Sequence, residues 1–142
     1  MANHAMLQPV VGLVVWTLVM LFWMLVTRFP ALKAANIKLG SLVGTKAADS
    51  DRALPAKAQW KAHNYMHLLE QPVLFYAVVI VLALIGVNDF ETRLLAWGYV
   101  MLRVVHSVWQ ATVNGVAARF WLFGAASACL IALTVRAVVE LW

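Results

Sequence analysis

Two short runs concentrate the side chains of this chain that can do chemistry. Asn64, His67 and Gln71 recur at three- and four-residue spacing, which puts them on one face of a helix with Glu70 beside them. Arg103, His106, Gln110 and Asn114 repeat the pattern, again inside otherwise apolar sequence. A charged side chain in mid-membrane costs about 2.5–3.5 kcal/mol on insertion scales, so it normally faces protein or trapped water and has a partner. Glu70 and Arg103 are natural partners. Each falls about ten residues inside its apolar segment, on the order of 15 Å deep, in a hydrocarbon core about 30 Å thick. One reading is that this pair and its neighbours simply join helices, because polar contacts between spans are common and contribute modestly. The other is a binding or catalytic site, since more polar groups converge than joining helices requires and an intramembrane ionisable residue marks a site by default.

His63 and His67 stand four apart and Glu70 three further on, a spacing able to gather imidazoles and a carboxylate around a metal. No H-E-x-x-H or paired E-x-x-H pattern accompanies them, so no metal is expected. A proton relay through His67, Glu70 and His106 is a comparable minor reading. Arg119 opens the last apolar segment. It is either one more basic anchor at the membrane surface or a functional guanidinium that pairs with a carboxylate or stabilises a developing anion such as a thiolate. The sequence leaves both open.

These residues need elements to hold them. Of the 142 residues, 64% are hydrophobic and only 12% charged, and mean hydropathy is +0.83. A soluble bundle would need charges every few positions on its outer faces, and long stretches here have none. A helix crosses the hydrocarbon core in about 20 residues, and the apolar stretches lie at about 8–28, 62–87, 92–115 and 119–141. The expected fold is therefore all-α, an integral membrane four-helix bundle forming one domain over residues 1–142. The run Val10 to Thr27 lacks a preceding basic segment and is too long for a signal-peptide core, which favours a retained span.

Arg28, Lys33, Lys38, Lys46, Arg52, Lys57 and Lys61 follow that first span, so the basic loop of about 29–61 should be cytoplasmic. Arg119 then also lies inside, while Asp89, Glu91 and both the N and C termini lie outside. Arg136 is the exception to this bias. Trp60, Trp97, Trp121 and Trp142 fall near span ends, as indoles prefer, whereas Trp16, Trp23 and Trp109 lie deeper and need packing partners. Gly124, Ala125, Ala126, Ser127 and Ala128 allow close helix approach. Cys129 has no intrachain partner and should pack as a small hydrophobe. Pro30, Gly40, Gly44 and Pro55 interrupt the first loop often enough to suggest a flexible cover. Membrane lipid is the expected surrounding, and no nucleic-acid partner is expected.

The run Asn64-Tyr65-Met66-His67-Leu68-Leu69-Glu70-Gln71-Pro72-Val73-Leu74-Phe75-Tyr76-Ala77, with Leu102-Arg103-Val104-Val105-His106-Ser107, resembles the MAPEG superfamily, the membrane-associated proteins of eicosanoid and glutathione metabolism. The resemblance covers about residues 56–125 and looks like a bacterial subgroup, which implies a bacterial inner membrane. It implies a homotrimer that binds glutathione between subunits near the cytoplasmic side and transfers its sulfur to a lipophilic small molecule. Arg103 and His106 match the family's R-x-x-H. Arg119 stands thirteen positions after His106, where one branch places the arginine thought to stabilise the thiolate. Lys61 stands near the family's arginine, Asn64 is followed by His67, and Glu70 arrives one turn late. Gln110 occupies a common tyrosine position and Phe120 a serine position found in some members.

The resemblance thus implies a glutathione-dependent transferase or peroxidase in which Arg119 is catalytic. Asn64, His67, Glu70, Arg103, His106 and Gln110 would hold the tripeptide. The alternative is a noncatalytic membrane scaffold that binds lipid or a protein partner.

Overall fold

A computed structural model describes residues 4–142, and every regular element among them is helical. α1 (His4–Ala34) buries Leu13, Thr17 and Met20 along one stripe and leaves Val11, Leu18, Phe22 and Val26 exposed. Apolar side chains on both the packed and the open face are what a helix in lipid shows, since lipid solvates them as well as a core does. Asn36, at φ 55°, caps α1 in the left-handed conformation, and the Ile37 N–H reaches back to the Leu32 carbonyl.

A 3₁₀ turn (Leu39–Ser41) and α2 (Ala47–Ala53) follow. The first loop is therefore not the loose cover expected. Arg28 Nη2 donates to Ser50 Oγ at 2.7 Å, Gln59 Nε2 donates to Asp51 Oδ1 at 2.8 Å, and His63 Nε2 meets the same oxygen at 2.6 Å. These contacts hold α2 against α1 and the next helix, and they outweigh the glycines and prolines that made the segment look interrupted.

α3 (Ala56–Leu68) starts directly after Pro55, earlier than the boundary near 62, and α4 (Pro72–Leu84) continues its path. The passage Ala56–Leu84 remains one candidate span but turns at residues 69–71. Pro72 has no N–H to give the Leu68 carbonyl, and its ring disfavours a helical neighbour, so the chain takes a tighter turn there. The Leu69 N–H bonds the Met66 carbonyl at 2.9 Å, and the Leu74 N–H bonds the Gln71 carbonyl at 3.0 Å. α5 (Phe90–Thr112) begins at Asp89, whose carboxylate accepts from the Thr92 N–H and hydroxyl. α6 (Val116–Leu141) follows the tight turn at Asn114, φ 59°.

Three helical passages are long and apolar enough to cross a membrane: α1, Ala56–Leu84 (α3 with α4) and α6. α5 has the length, 23 residues, but its hydropathy is lowered by Arg103, His106, Ser107 and Gln110, all buried. α5 packs along α6 and touches α1 and α3, while α1 also lies against α3 and α4. Phe75 stacks on Tyr99 with ring centroids 4.3 Å apart in the core. Two deep tryptophans find partners: Lys61 Nζ sits 5.6 Å over the Trp23 ring, and Trp109 Nε1 donates to the Gly115 carbonyl. Arg136, the outlier to the charge bias, pairs with Glu140 at 2.9 Å and Asp89 at 3.6 Å. Cys129 is a partly buried free thiol packed against the core.

Candidate functional site

The site grows from the Pro72 break. Opening the helix there leaves the His67 carbonyl with a long 3.4 Å bond from the Glu70 N–H and a shared contact from the Leu69 N–H, and a poorly paired carbonyl is expensive where no water can reach it. Arg103, wholly buried, donates Nη2 to that carbonyl at 3.0 Å. Its guanidinium also lies 5.8 Å from the Phe123 ring centroid, a cation–π contact. Arg103 Nε and Nη1 have no hydrogen-bond partner.

The expected Glu70–Arg103 ion pair is not formed. The Glu70 side chain is 69% exposed and bonds His67 Nδ1 at 3.1 Å. The reason is local: at 3.6 residues per turn residue 70 lies off the buried face that residues 64 and 68 share, so the carboxylate points outward. The distance in sequence and depth permitted the pair, and the face on which residue 70 lies removed it.

Two more polar residues, the buried Asn64 and the partly buried Gln71, join helices. Asn64 Nδ2 donates to Ser107 Oγ between α3 and α5. Gln71 donates to Ser127 Oγ at 2.8 Å and accepts from the Tyr99 hydroxyl at 3.2 Å, linking α6 and α5. Asn64 and Arg103 are buried behind the residues that line the cavities described next. The others converge. His63, Met66, His67, Glu70, Gln110 and Arg119 line a cavity of ≈ 260 Å³. His67, His106, Val116, Arg119, Phe120 and Phe123 line a second of ≈ 250 Å³. The two share His67 and Arg119, which sets them side by side.

The two compartments differ in chemistry. The first holds a carboxylate, two imidazoles, an amide and a guanidinium, and within it the buried Gln110 Oε1 and Arg119 Nε lack partners. The second is walled by Val116, Phe120 and Phe123. Arg119 stands between them. Asn114 Oδ1 accepts from Arg119 Nη1 at 2.6 Å, so the left-handed turn residue aims the guanidinium. The Phe123 ring stacks on His67 with centroids 5.5 Å apart and an interplanar angle of 30°, and His67 lies 5.1 Å from His106.

Against known sequences, the model of the MAPEG family matches residues 6–139, nearly the whole chain. The chain belongs to the MAPEG family. It is thereby a membrane protein of a family in eicosanoid and glutathione metabolism, as the runs around Asn64–Ala77 and Leu102–Ser107 implied. No curated protein and no solved structure matches it.

Set against the sequence reading of this MAPEG chain, His67, Glu70, His106, Gln110 and Arg119 come together, while Asn64 and Arg103 stand behind them as supports. His63 faces the cavity and is also the residue on which α2 is anchored through Asp51. Among the described residues no group of three or more His, Cys, Asp or Glu side chains is placed to hold a metal. Phe123 was not recognised as part of the site, and Asn114 was placed on the polar stripe without a role of its own. Their signal was available: Phe123 lies one helical turn after Arg119, and Asn114 ends the Arg103–His106–Gln110 stripe.

Proposed function

We propose that this MAPEG protein is a glutathione-dependent transferase or peroxidase acting on lipophilic electrophiles. The single observation behind the reading is that Arg119 sits where a polar cavity and an apolar cavity meet. The residues fit the tripeptide: Glu70 offers a carboxylate to an ammonium, Gln110 Oε1 is a buried acceptor without a partner, and Arg119 has an unpartnered Nε. Family membership supports glutathione as the co-substrate.

In this reading the Arg119 guanidinium lowers the thiol pKa by stabilising the thiolate. The sulfur lone pair then forms a bond to the electrophilic carbon of a substrate held against Val116, Phe120 and Phe123, and the leaving group departs with its bonding electrons. His67 and His106 supply hydrogen bonds beside the reacting atoms, and Arg103 holds the His67 backbone in place. α5 is the fourth span, completing a four-helix bundle with both termini outside and the site open toward the cytoplasm of a bacterial inner membrane. The exposed Glu70 carboxylate, awkward in lipid, belongs at a subunit contact of a homotrimer.

A second reading is a noncatalytic scaffold that binds lipid or a protein partner. It is favoured by Gln110 and Phe120 at the positions where the family resemblance places tyrosine and, in some members, serine. Calorimetric titration of the detergent-solubilised protein with glutathione, repeated for Arg119→Ala and Glu70→Ala, separates the two. Heat of binding that shrinks in both variants supports the first reading, and no heat in the parent rejects it. Binding without turnover of chlorodinitrobenzene above background leaves the scaffold in place of that transferase activity.

A further inference from the structure

The segment between α1 and α2 carries a feature that the site does not use. From Phe29 to Ala48 the chain contains no Asp or Glu, but it contains Lys33, Lys38 and Lys46, all exposed. Between the lysines Leu39, Leu42 and Val43 project outward, Val43 with 93% of its surface open. No other part of the described chain covers them. The projection is fixed rather than loose. Left-handed residues bound it on both sides, Asn36 and Gly44, the Ile37 N–H is tied back to Leu32, and the Leu39–Ser41 turn is closed by Ser41 and Leu42 N–H bonds to Lys38 and Leu39.

Its place relative to lipid follows from α1. The apolar run ends at Thr27, and the helix continues to Ala34, about 10 Å further at 1.5 Å per residue. That rise carries the chain out of the hydrocarbon into the headgroup layer, and the cap at Asn36 then turns it back on itself. Three exposed aliphatic side chains ringed by cations and free of acids match the boundary between anionic headgroups and acyl chains. Aliphatic groups gain by entering that boundary, and lysine stems reach up from it to place ammonium groups on phosphates.

We infer that residues 36–46 form an interfacial anchor, with Leu39, Leu42 and Val43 seated in the acyl boundary and Lys33, Lys38 and Lys46 selecting anionic lipid headgroups. Anchoring this segment also fixes α2, which rests on His63 at the edge of the candidate site.

The test places a bimane fluorophore on Val43→Cys in a Cys129→Ala background and reconstitutes the protein in nanodiscs of phosphatidylcholine with or without phosphatidylglycerol. Blue-shifted emission, quenched by lipids brominated on their acyl chains, is expected. Relative association of spin-labelled phosphatidylglycerol over phosphatidylcholine should fall up to about fivefold in Lys38→Gln, given roughly 1 kcal/mol per basic residue at an anionic surface. It should also fall in high salt. Unquenched emission typical of water overturns the anchor. Quenching that is equal with and without phosphatidylglycerol, and unchanged in Lys38→Gln, overturns the headgroup selection. Unquenched blue emission with a cysteine cross-link between copies at position 43 assigns the patch to a second copy and overturns the proposal.

Discussion

Replacing Arg103 by leucine tests whether the buried guanidinium is there for stability or for the site. The wild-type side chain makes one charge-assisted hydrogen bond, to the His67 carbonyl at 3.0 Å, worth about 1.5–3 kcal/mol. Its contact with Phe123 adds about 0.5–2 kcal/mol. Against this, Nε and Nη1 are buried without partners, and each such group costs about 1–3 kcal/mol. The two sides are of the same size. Leucine therefore changes unfolding free energy by less than about 2 kcal/mol, read from chemical and thermal unfolding in mild detergent. Glutathione affinity, in contrast, falls about tenfold or more, because the freed carbonyl lets the turn carrying His67 and Glu70 relax and a small misplacement of positioning groups is costly. A loss of about 3–5 kcal/mol, the usual result of breaking an essential buried ionic contact, with unchanged affinity in whatever folds, would refute this reasoning and make Arg103 a helix fastener.

Arg119→Ala should leave the fold intact and remove the ultraviolet thiolate absorbance of bound glutathione. The chemical step should slow about 10²–10³-fold, as when one preorganised donor to a developing anion is deleted; equal thiolate signal in both proteins rejects the role. Asp89→Ala deletes the cap of α5 and should lower stability by about 1 kcal/mol in denaturant titration, the exposed pairing with Arg136 adding little. The Thr92 N–H and hydroxyl hold the Asp89 carboxyl below its ordinary value of 3.8. Its contribution is thus fully present above that value and disappears only as pH falls through the lower folded one. Asp51 behaves alike, its carboxyl held below 3.8 first by Gln59 and then by His63. Hydrogen exchange of residues 47–53 should stay slow from neutral pH to about pH 4 and speed up below it, and speeding up already at pH 6 would contradict the carboxylate as the anchor.

Periodicity grouped polar residues that the fold also places on shared helix faces, because a helix repeats its faces every three or four positions and α3 and α5 obey that rule. His67, His106 and Gln110 were legible for this reason, whereas Arg119, on α6, was singled out by its place at the start of the last apolar segment and by the family resemblance. Glu70 was placed beside that face, as found, but its partner was not legible: it bonds His67 one turn earlier in the chain. Arg103 was placed correctly as buried but given the wrong partner. A side-chain carboxylate is visible in a sequence, whereas a backbone carbonyl released by a kink has no letter of its own. The first loop misled in the opposite direction: glycine and proline count as interruptions, yet its order comes from Arg28, Asp51, Gln59 and His63, whose meeting is a matter of tertiary position. Length and apolarity found α1, α3 with α4, and α6, while α5 is apolar enough only when its buried polar face is discounted.

That imbalance in α5 bears on how the protein is made. In the four-span arrangement, a segment with Arg103 near its centre and His106 and Gln110 further along meets an unfavourable partition when it reaches the insertion machinery alone, the arginine by itself opposing entry by about 2.5–3.5 kcal/mol. α6 follows after only the 113–115 turn and is strongly apolar. Biogenesis is then pairwise: the late, greasy helix draws its reluctant predecessor into the bilayer as a hairpin, and truncating the chain before Val116 should strand residues 90–112 outside it.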